Sequence, residues 1–118
     1  MPRIAKERYD RGNVFYKIAN LEEHASKRLF ARPSFVVVHD IKPEAFRHYL
    51  FLPRAPTPHL LAGDAAYLPG MIALARRLWQ VYSFGGLVSG YKIRFNGLPG
   101  GGQVIPHTHM HLLLVRAT

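Results

Sequence analysis

Five short stretches of this 118-residue chain carry the apolar patterning of β-strands, and one longer stretch repeats its apolar residues at helical spacing. Leu29-Phe30-Ala31 and Phe35-Val36-Val37-Val38-His39 are β-favouring runs broken by Arg32-Pro33-Ser34, which predicts a hairpin whose second, β-branched arm is central in a sheet. Asp40-Ile41-Lys42-Pro43 ends that arm, because proline cannot continue a ladder and biases its predecessor away from helix. His48 to Leu52 reads as a third strand, followed by a stiff loop with Pro53, Pro56 and Pro58. Val88 to Phe95 is a fourth, with Tyr91, Ile93 and Phe95 alternating against Lys92 and Arg94, and the segment from His107 through Leu114 is a fifth. Ala66, Met71, Leu74, Ala75, Leu78 and Trp79 form the stripe of a helix over 65–83, with Asp64 as N-cap, or with a regular part beginning at Pro69; Gly85-Gly86 stops it. Asn13 caps a short helix carrying Phe15, Ile18 and Ala19, and residues 21–28 suit either helix or irregular structure. Residues 1–12, polar and aperiodic, predict a flexible lead-in to a single domain over 13–118. Short connections and one long helix predict an α+β domain on a mainly antiparallel five-stranded sheet, with the short N-terminal helix added.

Composition narrows the classes. A content of 48% hydrophobic and 19% charged residues supports one real core and leaves no room for a second domain. The absence of cysteine excludes disulfides and thiolate metal sites. No apolar run approaches the roughly 18 residues of a membrane span, and residues 1–8 lack the apolar core of a secretion signal, so the expectation is a cytoplasmic protein without a membrane partner. The formal net charge of +9 favours phosphate-bearing partners. Basic residues are spread along the chain, with adjacent pairs only at Lys27-Arg28 and Arg76-Arg77. That distribution suits a small phosphorylated ligand; nucleic acid is a possible partner but not the favoured one.

The chemistry concentrates in His107-Thr108-His109-Met110-His111. Alternate side chains of an extended strand share a face, so the three imidazoles line one side while Thr108, Met110 and Leu112 turn to the core. Near neutral pH such a row can offer a nucleophilic nitrogen, a proton donor and an acceptor together. The His-x-His spacing is also one that zinc accepts. Just upstream, Gly100-Gly101-Gly102-Gln103 lacks side chains at three positions, and its backbone can approach a phosphate and aim amide donors at it.

The run Asn96-Gly97-Leu98-Pro99-Gly100-Gly101-Gly102-Gln103 followed by His107-Thr108-His109-Met110-His111-Leu112-Leu113 resembles the hallmark of the histidine triad (HIT) superfamily. Upstream, Phe35 to Ala45 resembles that family's strand and Asp-Ile-x-Pro turn, and His48 to Pro53 its following strand, so the likeness covers roughly residues 13–115. The resemblance implies a nucleotide hydrolase acting at an α-phosphate. In it His109 would be the nucleophile that forms a nucleotidyl-histidine, His111 would assist the leaving group, and His107 and His48 would form a supporting pair. Asn96, Gly101, Gly102 and Gln103 would meet phosphate or ribose, Asp40 the ribose hydroxyls, and Phe15, Ile18, Val38, His39 and Ile41 the base. The implied substrates are purine nucleotides: phosphoramidates or acyl-adenylates of AMP first, diadenosine polyphosphates second. A weakly catalytic nucleotide-binding module and aprataxin-like removal of adenylate from nucleic-acid ends are the other readings. No cofactor and no metal are expected, and a homodimer joined through the long helix and the fourth strand is implied. Two departures bear on efficiency and on specificity. Relatives usually carry Ser or Thr after the Gly-Gly-Gln, where this chain has Val104, and the tail that relatives often extend beyond the last strand is expected to be short here.

Overall fold

The computed structural model describes residues 9–117. Helix α1 spans Val14–Asn20 and is capped as its sequence predicts, with the Asn13 side-chain oxygen accepting from the Tyr16 amide at 2.8 Å. A 3-10 turn over Glu22–Lys27 resolves the ambiguous segment after it. Strands β1 (Phe30–Ala31), β2 (Phe35–His39) and β3 (Arg47–Pro53) precede helix α2 (Leu68–Phe84), and β4 (Val88–Arg94) and β5 (Met110–Arg116) follow it. They form one antiparallel sheet in the order β1-β2-β3-β5-β4, an α+β fold with the five strands expected.

The register sorts side chains onto two faces. On one, Val37, Tyr49, Phe51, Met110, Leu112 and Leu114 pack against Met71, Leu74, Ala75 and Leu78 of α2. On the other, Val36, Val38, Leu50 and Leu52 pack against Ala19, Phe15 and Ile18 of α1. Full burial of aliphatic and aromatic side chains such as Phe51, Leu52 and Leu112 contributes about 1.5–3 kcal/mol each, so the central strands carry much of the core. With Met110 and Leu112 on the α2 face, their neighbour His111 stands on the α1 face with His48.

Three expectations need correction. Helix α2 starts at Leu68 rather than 65, which matches the later of the two expected starts, with Pro69 in its first turn. Asp64 does not cap it; its side chain accepts from the Ala66 amide at 3.1 Å, and Ala65 takes φ 53°, a local turn that delays the helix. The last strand begins at Met110, not at His107: the Thr108 amide and hydroxyl both donate to the Thr57 carbonyl, at 2.7 and 3.0 Å, which ties residues 107–109 to the proline-rich loop instead of to a strand. The lead-in expected to be flexible lies partly outside the described residues. Its last part, Tyr9 to Gly12, packs on the site through Tyr9. Among the described residues no helix is long and apolar enough to cross a membrane.

Candidate active site

His48, His107, His109 and His111 are all buried, between 0 and 9% exposed, and their hydrogen-bond partners assign a tautomer to each. His109 directs Nδ1 at the His107 carbonyl, 2.8 Å away. A carbonyl only accepts, so Nδ1 carries the proton and Nε2 keeps a lone pair. His48 receives the Glu44 amide on Nδ1 at 3.1 Å, which puts its proton on Nε2. That Nε2–H donates to Nδ1 of His111 at 2.8 Å, leaving His111 with its own N–H on Nε2. The His109 and His111 rings lie 5.0 Å apart between centroids. One bare nitrogen and one donor therefore stand side by side.

His48 pairs with His111, and not with His107 as the resemblance implied. The β3–β5 register sets Leu50 opposite His111 and His48 opposite Leu113, so His48 and His111 are diagonal neighbours on one face. His107 is held elsewhere: its Nε2–H donates to the Pro53 carbonyl at 2.8 Å, and the Tyr9 hydroxyl donates to its Nδ1. The Tyr9 oxygen in turn accepts from the Asn13 amide at 3.0 Å, and the Tyr16 ring packs edge-on to His107.

Burial holds every one of these rings below the ordinary imidazole value, His107 and His111 to about 4. The Arg94 guanidinium adds to the depression at His48, His109 and His111. At neutral pH the cluster is uncharged, which keeps the His109 lone pair available.

Asp40 follows β2, and one of its carboxylate oxygens lies 3.4 Å from His48 Nε2 while the other accepts from the Lys42 amide at 2.8 Å. Asp40, His48 and His111 each offer a ligand atom within 4.8 Å of the others, a spacing that could hold a metal ion. A metal would need a bare Nε2 on His48, and the Glu44 amide donating to Nδ1 opposes that tautomer.

Of the residues expected at the base, Phe15 lies edge-on to His109 with centroids 4.8 Å apart, and Val38 and Ile18 belong to the α1-side cluster beside it. His39 is not brought to them. Its side chain stacks on Tyr49, on the α2 face of the sheet. Ile41 is fully exposed in the turn after β2. A cavity of about 720 Å³ on the α2 side reaches Asp40, His39 and His48, and His109 is absent from its lining.

The glycine loop departs further from expectation. The amides of Gly101 and Gln103 donate to the Leu98 carbonyl at 2.9 and 3.0 Å, and that of Gly102 to Pro99 at 3.0 Å. These donors close a 3-10 turn (Pro99–Gly101) and are not aimed at a ligand. The Gln103 side chain is likewise occupied, donating to the Pro58 and Ile105 carbonyls and accepting from the Leu98 amide, all within 2.7 to 2.9 Å. Asn96 donates to the Gly101 carbonyl at 2.9 Å and pins the loop to β4. Gly102 has φ +88°, which demands glycine, and a Cβ there would sit 3.5 Å from the Asn96 amide nitrogen.

Two site residues were missed by the sequence reading. Tyr9 lay in the charged lead-in, where its spacing of four from Asn13 was the available signal. From the sequence Arg94 is only a polar position of β4; the register pairs it with His111.

A model of the HIT domain family matches residues 22–118 of the chain. A 13.2 kDa HIT-like protein of Azospirillum brasilense is 30% identical over 110 residues, covering 92% of this chain and 89% of its own. A HIT family hydrolase of Legionella pneumophila superposes with a TM-score of 0.68 at 28% identity, over 89% of this chain and 94% of that one. A zinc-bound histidine triad family protein of Mycobacterium smegmatis superposes with a TM-score of 0.76 at 25% identity, over 89% and 76%. The three buried imidazoles at alternate positions, the five-stranded sheet beside them and these likenesses agree: the chain belongs to the HIT domain family.

Proposed function

We propose that the protein hydrolyses nucleoside 5′-monophosphate derivatives through a nucleotidyl-histidine on His109. The observation that carries this reading is the bond from His109 Nδ1 to the His107 carbonyl, which leaves a neutral Nε2 lone pair beside the Nε2–H of His111. A neutral imidazole needs no deprotonation to attack phosphorus, and a covalent intermediate splits one displacement into two easier ones. In the first step an Nε2–P bond forms as the bond from phosphorus to the leaving group breaks, with the neutral His111 N–H hydrogen-bonding to the departing atom, which takes its proton from solvent. In the second, water attacks phosphorus and the electron pair of the N–P bond returns to His109. Water's hydroxyl ends on phosphorus, and its proton balances the one carried off by the leaving group.

Phe15, Ile18 and Val38 supply the apolar wall for a purine, and Asp40 a carboxylate for the ribose hydroxyls. The favoured substrates are phosphoramidates and acyl-adenylates of AMP. The protein would act as a homodimer: edge strand β4 and helix α2 expose Tyr91, Ile93, Ile72, Val81 and Phe84, the last at 95%. Turnover of AMP joined to lysine through a P–N bond tests the reading. His109→Ala abolishes it while AMP still binds; unchanged turnover in that variant overturns the covalent mechanism.

A further inference from the structure

A site that handles phosphoryl groups needs donors for the non-bridging oxygens, and most of the expected ones are engaged elsewhere here. The amides of Gly101, Gly102 and Gln103 are closed within their own turn, and the Gln103 side chain is occupied. Val104, 90% exposed, has no hydroxyl to offer. The four histidines are uncharged at neutral pH, so they leave the anion without a cation.

Arg94 stands where that cation is wanted. The β4–β5 register pairs it directly with His111, and directly opposed residues of an antiparallel pair send their side chains to the same face with Cβ atoms about 5 Å apart. Its Nε donates to Asn96 Oδ1 at 3.2 Å, which aims the planar fork. Its two terminal nitrogens donate to the two oxygens of Glu44 at 3.3 and 3.0 Å. Those side chains are 38% and 54% exposed, and an ion pair that wet contributes little stability, so exchanging the carboxylate for another anion costs little. The fork geometry that fits a carboxylate also fits a phosphate. From this position its charge also lowers His48, His109 and His111, after their burial.

We propose that Arg94 is the phosphate-binding residue of this site, held by Glu44 in the empty protein and transferred to the phosphoryl oxygens when a nucleotide binds. The proposal rests on the nucleotide reading of the histidine cluster. It makes Glu44 a placeholder for the substrate's anion, and it makes Arg94 the source of preference for a charged phosphoryl group over a neutral nucleoside.

Calorimetric titration of the full chain with AMP and with adenosine tests both layers separately. The wild type is expected to bind AMP more tightly than adenosine. Arg94→Gln is expected to weaken AMP by roughly ten- to a hundredfold, the loss of a hydrogen-bonded charge, with adenosine affinity unchanged. Glu44→Gln, which frees the guanidinium, is expected to bind AMP at least as tightly as the wild type. Equal losses for AMP and adenosine in Arg94→Gln would show a merely structural role and overturn the proposal, as would unchanged AMP affinity. An AMP affinity that falls in Glu44→Gln would also overturn it, by showing that the pair itself is needed. A wild type that binds neither compound overturns the nucleotide reading, and Arg94 falls with it.

Discussion

His48 donates its Nε2–H to Nδ1 of His111 across 2.8 Å, and the Glu44 amide behind it fixes which nitrogen of His48 holds the proton. This relay sets the proton on the outward Nε2 of His111, with the Asp40 carboxylate 3.4 Å from the donating His48 Nε2. A backbone amide in the turn before β3 thereby decides what the last triad histidine can do.

His48→Ala should free His111 to adopt the other tautomer. Loss of one buried hydrogen bond of this kind is worth about 1–3 kcal/mol, so kcat should fall roughly ten- to a hundredfold with a smaller change in KM. Steady-state kinetics on a P–N substrate, with a thermal melt to confirm folding, reads the effect.

Tyr9→Phe removes the hydroxyl that donates to the buried Nδ1 of His107 and accepts from Asn13. An unsatisfied buried acceptor costs about 1–3 kcal/mol, and urea denaturation of the full chain should show a loss in that range.

Acid should destabilise the protein over a defined window. Burial lowers His107 and His111 from the ordinary 6.5 to about 4, so above pH 6.5 neither the folded nor the unfolded chain protonates them. Below it the unfolded chain binds protons and the folded one does not, and stability falls until about pH 4, where the folded rings also titrate. The loss is on the order of 3 kcal/mol for His107 alone, measured by denaturant titration across that range. Because His109 is lowered too, the acid limb of kcat/KM should lie below pH 6.5.

Val104→Ser should raise activity. The side chain is exposed, so the change leaves stability within about 0.5 kcal/mol, while the hydroxyl restores the donor that HIT relatives usually carry after the Gly-Gly-Gln. A several-fold rise in kcat/KM is expected, read by the same kinetic assay.

The sequence shows the sheet well where the chain's local chemistry decides the outcome. The β-branched run Val36-Val37-Val38, the Pro43 break and the Asn13 cap all stand where local propensity puts them. It fails where a partner far along the chain decides. Thr57, about fifty residues away, captures the Thr108 amide and shortens the last strand, and register alone sets His48 diagonal to His111 and Arg94 opposite it. The triad is legible because three residues of unusual chemistry repeat at a spacing of two. Tyr9 and Arg94 are ordinary residues made important by long-range contacts, and only the spacing of Tyr9 from Asn13 hints at either. His39 shows the converse, since its place next to Asp40 in sequence puts it on the opposite face from His48.

The central claim is that His109 Nε2 attacks phosphorus, and the measurement closest to it is rapid mixing with a slow adenylate substrate, quenched in alkali where P–N bonds survive, followed by peptide mass analysis. The account predicts a burst of leaving group matched by a nucleoside monophosphoryl group on His109, absent in His109→Ala. Steady turnover with no burst and an unmodified His109, or an adduct on His107 or His111 instead, would contradict it.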